Sequence, residues 1–350
     1  MIDFNHLDNL LDKGRELNSD EIRRTCELLL DPGADDARKA EILAKLNHKG
    51  ETAAEIAGFA REFRKIAVDP GIRPEECGGV LIDVCGTGAD RLNTFNISTA
   101  VMFVVAGGGV SVAKHGNRSI TSQCGGADVL EALGCKIDLP PDKLRESLVK
   151  HGLAFFFAPL FHPAFKQIAP VRKMLAAKGY HSIFNFLGPL LNPAPINCQL
   201  VGLSNPALLE KYAHTLHLLG RQKAWVVHGR IDAEKSQGMD EVSLFGPTQI
   251  ARVDGGQVSV EELDFRAFLP GQSGMESLQG GDAAKNAAII TGLLQGHEKG
   301  SPREQIVLAN AAAAFVVAGK AGSIEQGITL AEASIHSGRA CQKLEALCAT

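Results

Sequence analysis

Aromatic residues are scarce in this chain of 350 residues: they make up 5%, with one tryptophan and two tyrosines. Stacking platforms for single-stranded nucleic acid need exposed aromatic rings, so that role starts without its usual material. An excess of positive charge is also missing. Lys plus Arg number 36 against 40 Asp plus Glu, a net charge of -4, and no bulk field draws the chain to nucleic acid or to an anionic membrane. The cysteines, Cys26, Cys77, Cys85, Cys124, Cys135, Cys198, Cys341 and Cys348, nowhere form a C-x-x-C pair. Their scatter argues against a zinc ribbon or a disulfide framework and predicts reduced thiols in a cytoplasmic chain. The most apolar stretch, Ile97 to Val112, is too short and too glycine-rich to span a bilayer. Met1 to Leu11 carries acids and lacks the apolar core of a signal peptide. Repeats and low-complexity tracts are absent too.

What is present is globular. Hydrophobic residues at 45% and charged residues at 22% exclude disorder as the main state. The length suits one large domain with a smaller partner. Residues 1 to about 70 read as helices. Ile56, Phe59, Ala60, Phe63 and Ile66 recur at helical spacing within Glu51–Ala67, and Asp35–Leu46 shows a similar period. From Pro70–Gly79 onward, short apolar runs alternate with helical patterns. Val80–Cys85, Val110–Ala113, Ala154–Ala158, Cys198–Leu203 and Ala224–Val227 are the expected strands. That alternation predicts an α/β fold with a mostly parallel central sheet flanked by helices. Gln249–Val253 and Gln257–Val260, joined by Asp254-Gly255-Gly256, predict a hairpin. The last third reads as helices over Ala283–Leu294, Glu304–Gly319 and Ile324–Leu347.

Three segments could hold a phosphorylated ligand. In the first, Asp83 to Asp90 runs from a strand into a glycine loop, and Asn93 to Thr99 leads to a helix opening near Ser98. Bare N–H groups in such a loop and at a helix start bind anions. Gly86 and Gly88 permit close approach, while Thr87, Ser98 and Thr99 add hydroxyls. The spacing is neither G-x-G-x-x-G nor a Walker motif, and a structural turn with capping hydroxyls is the plain alternative. The second segment, Lys114-His-Gly-Asn-Arg-Ser119, places two cations and a histidine after a strand, where open α/β sheets bind ligands; a solvated basic loop is the alternative. The third, Gly238 to Ser243, holds the adjacent acids Asp240 and Glu241. Mg²⁺ is commonly held by one or two carboxylates plus substrate phosphates, so the three segments together describe a Mg²⁺–phosphate site. Farther along, Arg172 could hold a carboxylate bidentately, and His115 could shuttle a proton or only donate a hydrogen bond.

These motifs, in this order, resemble the anthranilate phosphoribosyltransferases. The likeness rests on Gly86–Asp90, Asn93–Thr99, Lys114–Arg118, Gly126–Gly134, Phe161–Ala164, Pro170–Lys173, Phe184–Pro193, Val227–Gly229, Asp240-Glu241 and Gly280–Asp282, and runs nearly end to end. It implies Mg²⁺-dependent transfer of phosphoribose from phosphoribosyl pyrophosphate to the amino group of anthranilate. It implies donor binding by Gly86, Thr87, Gly88, Asp90, Asn96, Ser98, Thr99 and Lys114. Metal would lie at Ser98, Asp240 and Glu241, and the acceptor near Gly86, His115, Asn117, His162, Arg172 and Gly188. A homodimer is implied, with a helical dimerisation domain over 1–72 plus about 165–190 and an α/β domain over 73–164 plus about 191–350. No nucleic acid or membrane partner is expected.

The chain departs from the family pattern at four places. Ala89 stands for a glycine and Cys124 for a serine. Extra residues occur at Ala176–His181 and at Arg230–Gln237. A transferase with the same donor and another acceptor, and a non-catalytic nucleic-acid-binding relative, are the alternative readings.

Overall fold

The computed structural model describes residues 2–88, 90–119, 123–231, 238–269 and 274–350. Four helices open the chain: α1 (Phe4–Asp12), α2 (Ser19–Leu30), α3 (Asp36–Lys49) and α4 (Ala53–Lys65). Side chains fix where they begin. Asn18 accepts from the N–H groups of Asp20 and Glu21, and Thr52 from that of Glu55. Glu21 and Glu55 accept in return from the N–H groups of Asn18 and Thr52, completing two capping boxes. Ile66, expected on the buried face of α4, is 48% exposed because the helix stops one residue before it.

The sheet strands are β1 (Leu81–Gly86), β2 (Ser111–Gly116), β3 (Leu153–Phe157), β4 (Cys198–Gly202), β5 (Lys223–Arg230), β6 (Gly238–Met239), β7 (Thr248–Asp254) and β8 (Gln257–Leu263). Their order is β3-β2-β1-β4-β5-β7-β8, with β6 also paired to β5. The five strands from β3 to β5 are parallel neighbours, whereas β6, β7 and β8 run antiparallel. The expected hairpin is β7–β8, turning at Gly255 and Gly256, both at positive φ.

The remaining helices are α5 (Ile97–Gly107), α6 (Gly126–Ala132), α7 (Pro141–His151), α8 (Ala158–Phe161), α9 (Ala169–Ala177), α10 (Phe184–Leu187), α11 (Leu209–Leu218), α12 (Ala283–Leu294), α13 (Pro302–Val317), α14 (Ile324–His336) and α15 (Arg339–Cys348). Strand alternation sends successive side chains to opposite faces. Leu200, Trp225 and Val227 join a core with α5, α12, α13 and α14, while Val201 and Val226 join another with α1 to α4, α9, α10 and α11. Both sheet faces are therefore covered. No helix among the described residues is long and apolar enough to cross a membrane.

Three further expectations need correction. The single helix expected over Ile324–Leu347 is two, because Gly338 at φ 78 breaks it. Lys114 and His115 lie inside β2 rather than in a basic loop, paired with Phe155 and Phe156 of β3. Cys135 and Cys348 form a disulfide between the turn after α6 and the end of α15. Proximity in the fold, across 213 residues of sequence, leaves no spacing signal.

Candidate active site

Strands β1 and β4 end in Gly86 and Gly202, and Gly229 lies near the end of β5. Asp240 and Glu241 cross these ends at close range. A Cβ on Gly86 would lie 2.5 Å from Asp240 Oδ2, one on Gly202 1.6 Å from the Asp240 carbonyl, and one on Gly229 2.5 Å from the Glu241 carbonyl. Only glycine at these three places lets the acids reach the carboxyl edge of the sheet. Gly88, at φ 69, donates its N–H to Asp240 Oδ2 at 2.6 Å. The loop beyond it is unusual, since Arg91 and Asn93 adopt φ 59 and 53, a region that disfavours side chains.

The segment before α12 holds that loop in place. Gly280 N–H donates to the Asn93 carbonyl at 2.9 Å, and Phe95 N–H donates to the Leu278 carbonyl at 3.0 Å. Asn96 accepts from Asn286 at 2.9 Å and donates to the Cys124 carbonyl at 3.1 Å. Among the described residues the buried Thr87 hydroxyl has no partner, a donor facing an unfilled need. Thr99 is buried in the first turn of α5. Lys114 reaches from β2 to the Val84 carbonyl at 2.5 Å and to Ser98 Oγ at 3.1 Å.

The acids are crowded. Burial pushes the Asp240 carboxyl up to about 8, and Asp90 beside it adds repulsion. Glu241 is also pushed well up, by burial and then by Asp240, while Lys114 and the Ser98 N–H pull the other way. Carboxylates that raise one another need a cation to ionise together. Among the described residues no group of three or more His, Cys, Asp or Glu encloses an ion alone. Asp240, Glu241 and the Ser98 hydroxyl can therefore hold Mg²⁺ in the way that hard cation prefers, with ligand phosphates and water completing its shell.

A second group lies beside the first. Asp83 Oδ1 accepts from His115 N–H at 3.4 Å, and Asp83 Oδ2 accepts from Asn192 at 2.9 Å. Asn192 also donates to the Ala113 carbonyl at 2.7 Å, tying the turn after α10 to β2. His115 Nδ1 lies 3.3 Å from the Gly188 carbonyl. A carbonyl only accepts, so Nδ1 carries the proton and Nε2, buried and without a partner among the described residues, presents a lone pair. Burial holds the ring neutral, with its pKa lowered to about 3. The His162 ring lies 5.4 Å from that of His115 and stacks on Phe165 at 5.3 Å. His162 Nε2 donates to the Leu191 carbonyl at 2.8 Å. Arg172 lies over Phe184 at 5.8 Å, half-buried, and burial lowers its pKa.

Not every candidate joins these groups. Asn117 is exposed, its side chain turned back to accept from Arg118 N–H at 2.7 Å. Arg118 pairs with Glu131 and Asp128 of α6, buttressing the loop rather than offering a free charge. Gly188 is exposed, and its carbonyl is the part that faces the site. Cys124 is buried and its thiol is pushed up to about 11, so it is neutral. Ala176–His181 ends α9 in a turn at Gly179, with Tyr180 56% exposed. Ala89 and residues 232–237 of the second insertion lie outside the described residues. Sequence reasoning missed the supporting roles of Asp83, Asn192, Gly202, Gly229 and Asn286. The first two lay inside quoted motifs, and Gly229 in Val227–Gly229, but nothing in their spacing showed what they face.

A sequence profile described as "Glycosyl transferase family, a/b domain" matches residues 78–341, and its companion, "Glycosyl transferase family, helical bundle domain", matches residues 6–67. The anthranilate phosphoribosyltransferase of Syntrophobacter fumaroxidans is 44% identical over 332 residues, covering 95% of this chain and 94% of its own. The crystal structure of the Thermus thermophilus anthranilate phosphoribosyltransferase superposes with a TM-score of 0.87 at 36% identity, covering 97% of this chain and 98% of its own. The Saccharomyces cerevisiae enzyme in complex with PRPP and Mg superposes with a TM-score of 0.80 at 25% identity, over 99% of this chain and 92% of its own. With its glycine loop, acid pair and histidine–arginine group in the order and places described, the chain belongs to the anthranilate phosphoribosyltransferase family.

Proposed function

We infer that this chain transfers phosphoribose from phosphoribosyl pyrophosphate to the amino group of anthranilate, releasing pyrophosphate with Mg²⁺ bound, as a step in tryptophan biosynthesis. The observation that carries this reading is the pairing of two complementary groups at one sheet edge. One is a glycine loop with crowded carboxylates, and the other is an arginine that lies over Phe184 and is joined through Phe184 and Phe165 to the neutral histidines. Gly86, Thr87, Gly88, Asp90, Asn96, Ser98, Thr99 and Lys114 hold the donor. Ser98, Asp240 and Glu241 hold the metal. His115, His162, Arg172, Gly188 and, from the rim, Asn117 receive the acceptor, with Gly86 between the two substrates.

Pyrophosphate departs with negative charge while positive charge develops on the ribose ring. Bound Mg²⁺ supplies charge neutralisation for the leaving group. The chain's own contribution is positioning and preorganised charge. The Thr87 hydroxyl and the Lys114 ammonium face the phosphates, the N–H groups of Thr87 and Gly88 being taken by the Gly202 carbonyl and Asp240, and Arg172 aims the acceptor by its carboxylate. An aniline nitrogen attacks in its neutral form, so no side chain needs to act as an obligate base.

The phosphorylated donor does not cross membranes unaided, which sets the reaction in the cytoplasm. We assign a helical unit to 1–72 plus about 165–190, on the shared core of Leu7, Phe59, Phe63, Val171 and Phe184, and the rest to the α/β unit. The helical unit makes the contact of a homodimer. Light scattering should then give about twice the chain mass of 37.2 kDa, and a monomer at assay concentration would reject it.

The activity is tested by following anthranilate fluorescence with phosphoribosyl pyrophosphate and Mg²⁺. Loss of emission that depends on both is expected. No loss, with donor binding intact by calorimetry, would mean another acceptor. No loss and no donor binding would mean a non-catalytic relative.

A further inference from the structure

The last turn of α4 carries a second arginine that no pairing explains. Among the described residues the Arg64 side chain makes no hydrogen bond or ion pair, and it is half-buried. Its neighbour Phe63 packs edge-on to Phe165 at 5.0 Å and against Phe184 at 5.6 Å. Those two rings are the ones on which His162 stacks and over which Arg172 lies. Val68 N–H donates to the Phe161 carbonyl at 2.9 Å, fixing the end of α4 beside His162. Arg64, next to Phe63 on α4, therefore stands at the helical-bundle side of this ring cluster, close enough to His162 to act on it electrostatically.

The charges around it agree. Burial lowers the pKa of His162 and of Arg221, and Arg64 adds electrostatic repulsion to each. Arg221 is 4% exposed, donates Nε–H to Gln199 at 3.1 Å and, among the described residues, leaves Nη2 without a partner. Burial lowers the pKa of Arg64 and no acid offsets it. Among the described residues neither Arg64 nor Arg172 has an acid partner; Arg172 lies over Phe184, and Arg64 follows Phe63, which packs on the same ring. Burying cations unpaired is unfavourable unless an anion arrives from outside.

Resting on the reading of anthranilate as acceptor, we propose that Arg64 is a second specificity-determining cation, drawing the anthranilate carboxylate into the site from the helical-bundle side, with Arg172 as its anchor. Arg64 touches neither the ribose nor the amine, so it acts on capture and not on the chemical step.

The test compares wild type with Arg64→Gln, Arg64→Met and Arg64→Lys in steady-state turnover at several salt concentrations. The Met variant keeps the apolar stem packed should Gln loosen the helix end. In the neutral variants the anthranilate KM is expected to rise about tenfold, as for loss of one charged hydrogen bond. The phosphoribosyl pyrophosphate KM and kcat stay within about twofold, and the salt dependence of kcat/KM for anthranilate weakens. Arg64→Lys retains most of the affinity and the salt dependence. An unchanged anthranilate KM, an equal rise in both KM values, or a full salt dependence in the neutral variants would overturn the proposal. Wild-type protein that does not consume anthranilate at all would instead overturn the function on which it rests.

Discussion

Arg172 keeps its charge on a half-buried side chain with no acid beside it. Arg172→Ala removes the proposed anchor for the acceptor's carboxylate. It should raise the anthranilate KM by about ten- to a hundredfold, the share of a charged hydrogen bond, and leave the donor KM nearly unchanged; an equal rise in both would reject the role. Asp240 and Glu241 act at the other pole. Replacing both by alanine should lower turnover at limiting Mg²⁺ by at least about a hundredfold, and unchanged activity would reject the metal assignment. His115 offers a test by pH. Its folded-state pKa is about 3, below the unfolded value of about 6.5. Between these values only the unfolded chain takes up the proton, so stability is lost as pH falls below about 6.5. From pH 7 to 5 this costs about 2 kcal/mol, at about 1.4 kcal/mol per pKa unit. His115→Gln should remove that share, measured by denaturant unfolding at the two pH values. Asp83, raised to about 6, contributes with the opposite sign as pH rises from 3.8, and does so in both proteins. Parallel pH slopes for wild type and variant would show that His115 is not held neutral.

Three strand ends and one crossing segment make the edge proposed to bind metal. Gly202 is the tightest point, and what its Cβ would strike is backbone, which cannot rotate aside. Overpacking of this kind costs about 1–3 kcal/mol. In Gly202→Ala that strain falls on Asp240, so half-saturating Mg²⁺ should rise about tenfold while anthranilate binding changes little. Unaltered Mg²⁺ dependence would mean that the acid segment relaxes freely. Gly202 also shows where sequence reading reaches its limit. The strands, the hairpin and the glycine loop follow from local period and turn residues, because each is specified within a dozen positions. The glycine ends of β4 and β5 do not, because their need arises from a segment some ten to forty residues later. Lys114 was misplaced for a related reason. A lysine and a histidine look like a loop until Val84 and Ser98 supply partners inside the sheet. Arg64 gave no signal at all, since its meaning depends on Phe165 and Phe184 a hundred residues away.

At the scale of the molecule, the helical bundle does not sit apart from the sheet. Phe59 and Phe63 of α4 share one apolar core with Val201 of β4, Val226 of β5 and Tyr212 of α11. Tyr212 is itself tied to the Phe186 carbonyl at 2.8 Å. Arg61 donates to the Leu218 carbonyl, adding a polar link across the same seam. Opening that seam would expose large side chains on both sides, at about 1.5–3 kcal/mol for each fully buried one. The bundle thus has no way to melt while the sheet face that carries Val201 and Val226 stays covered. Calorimetry should show one main unfolding transition, shifted upward as a whole by phosphoribosyl pyrophosphate with Mg²⁺. A separate early transition, left in place by the donor, would mean that the bundle is held only by its own helices and that the acceptor group at its edge is assembled independently of the donor loop.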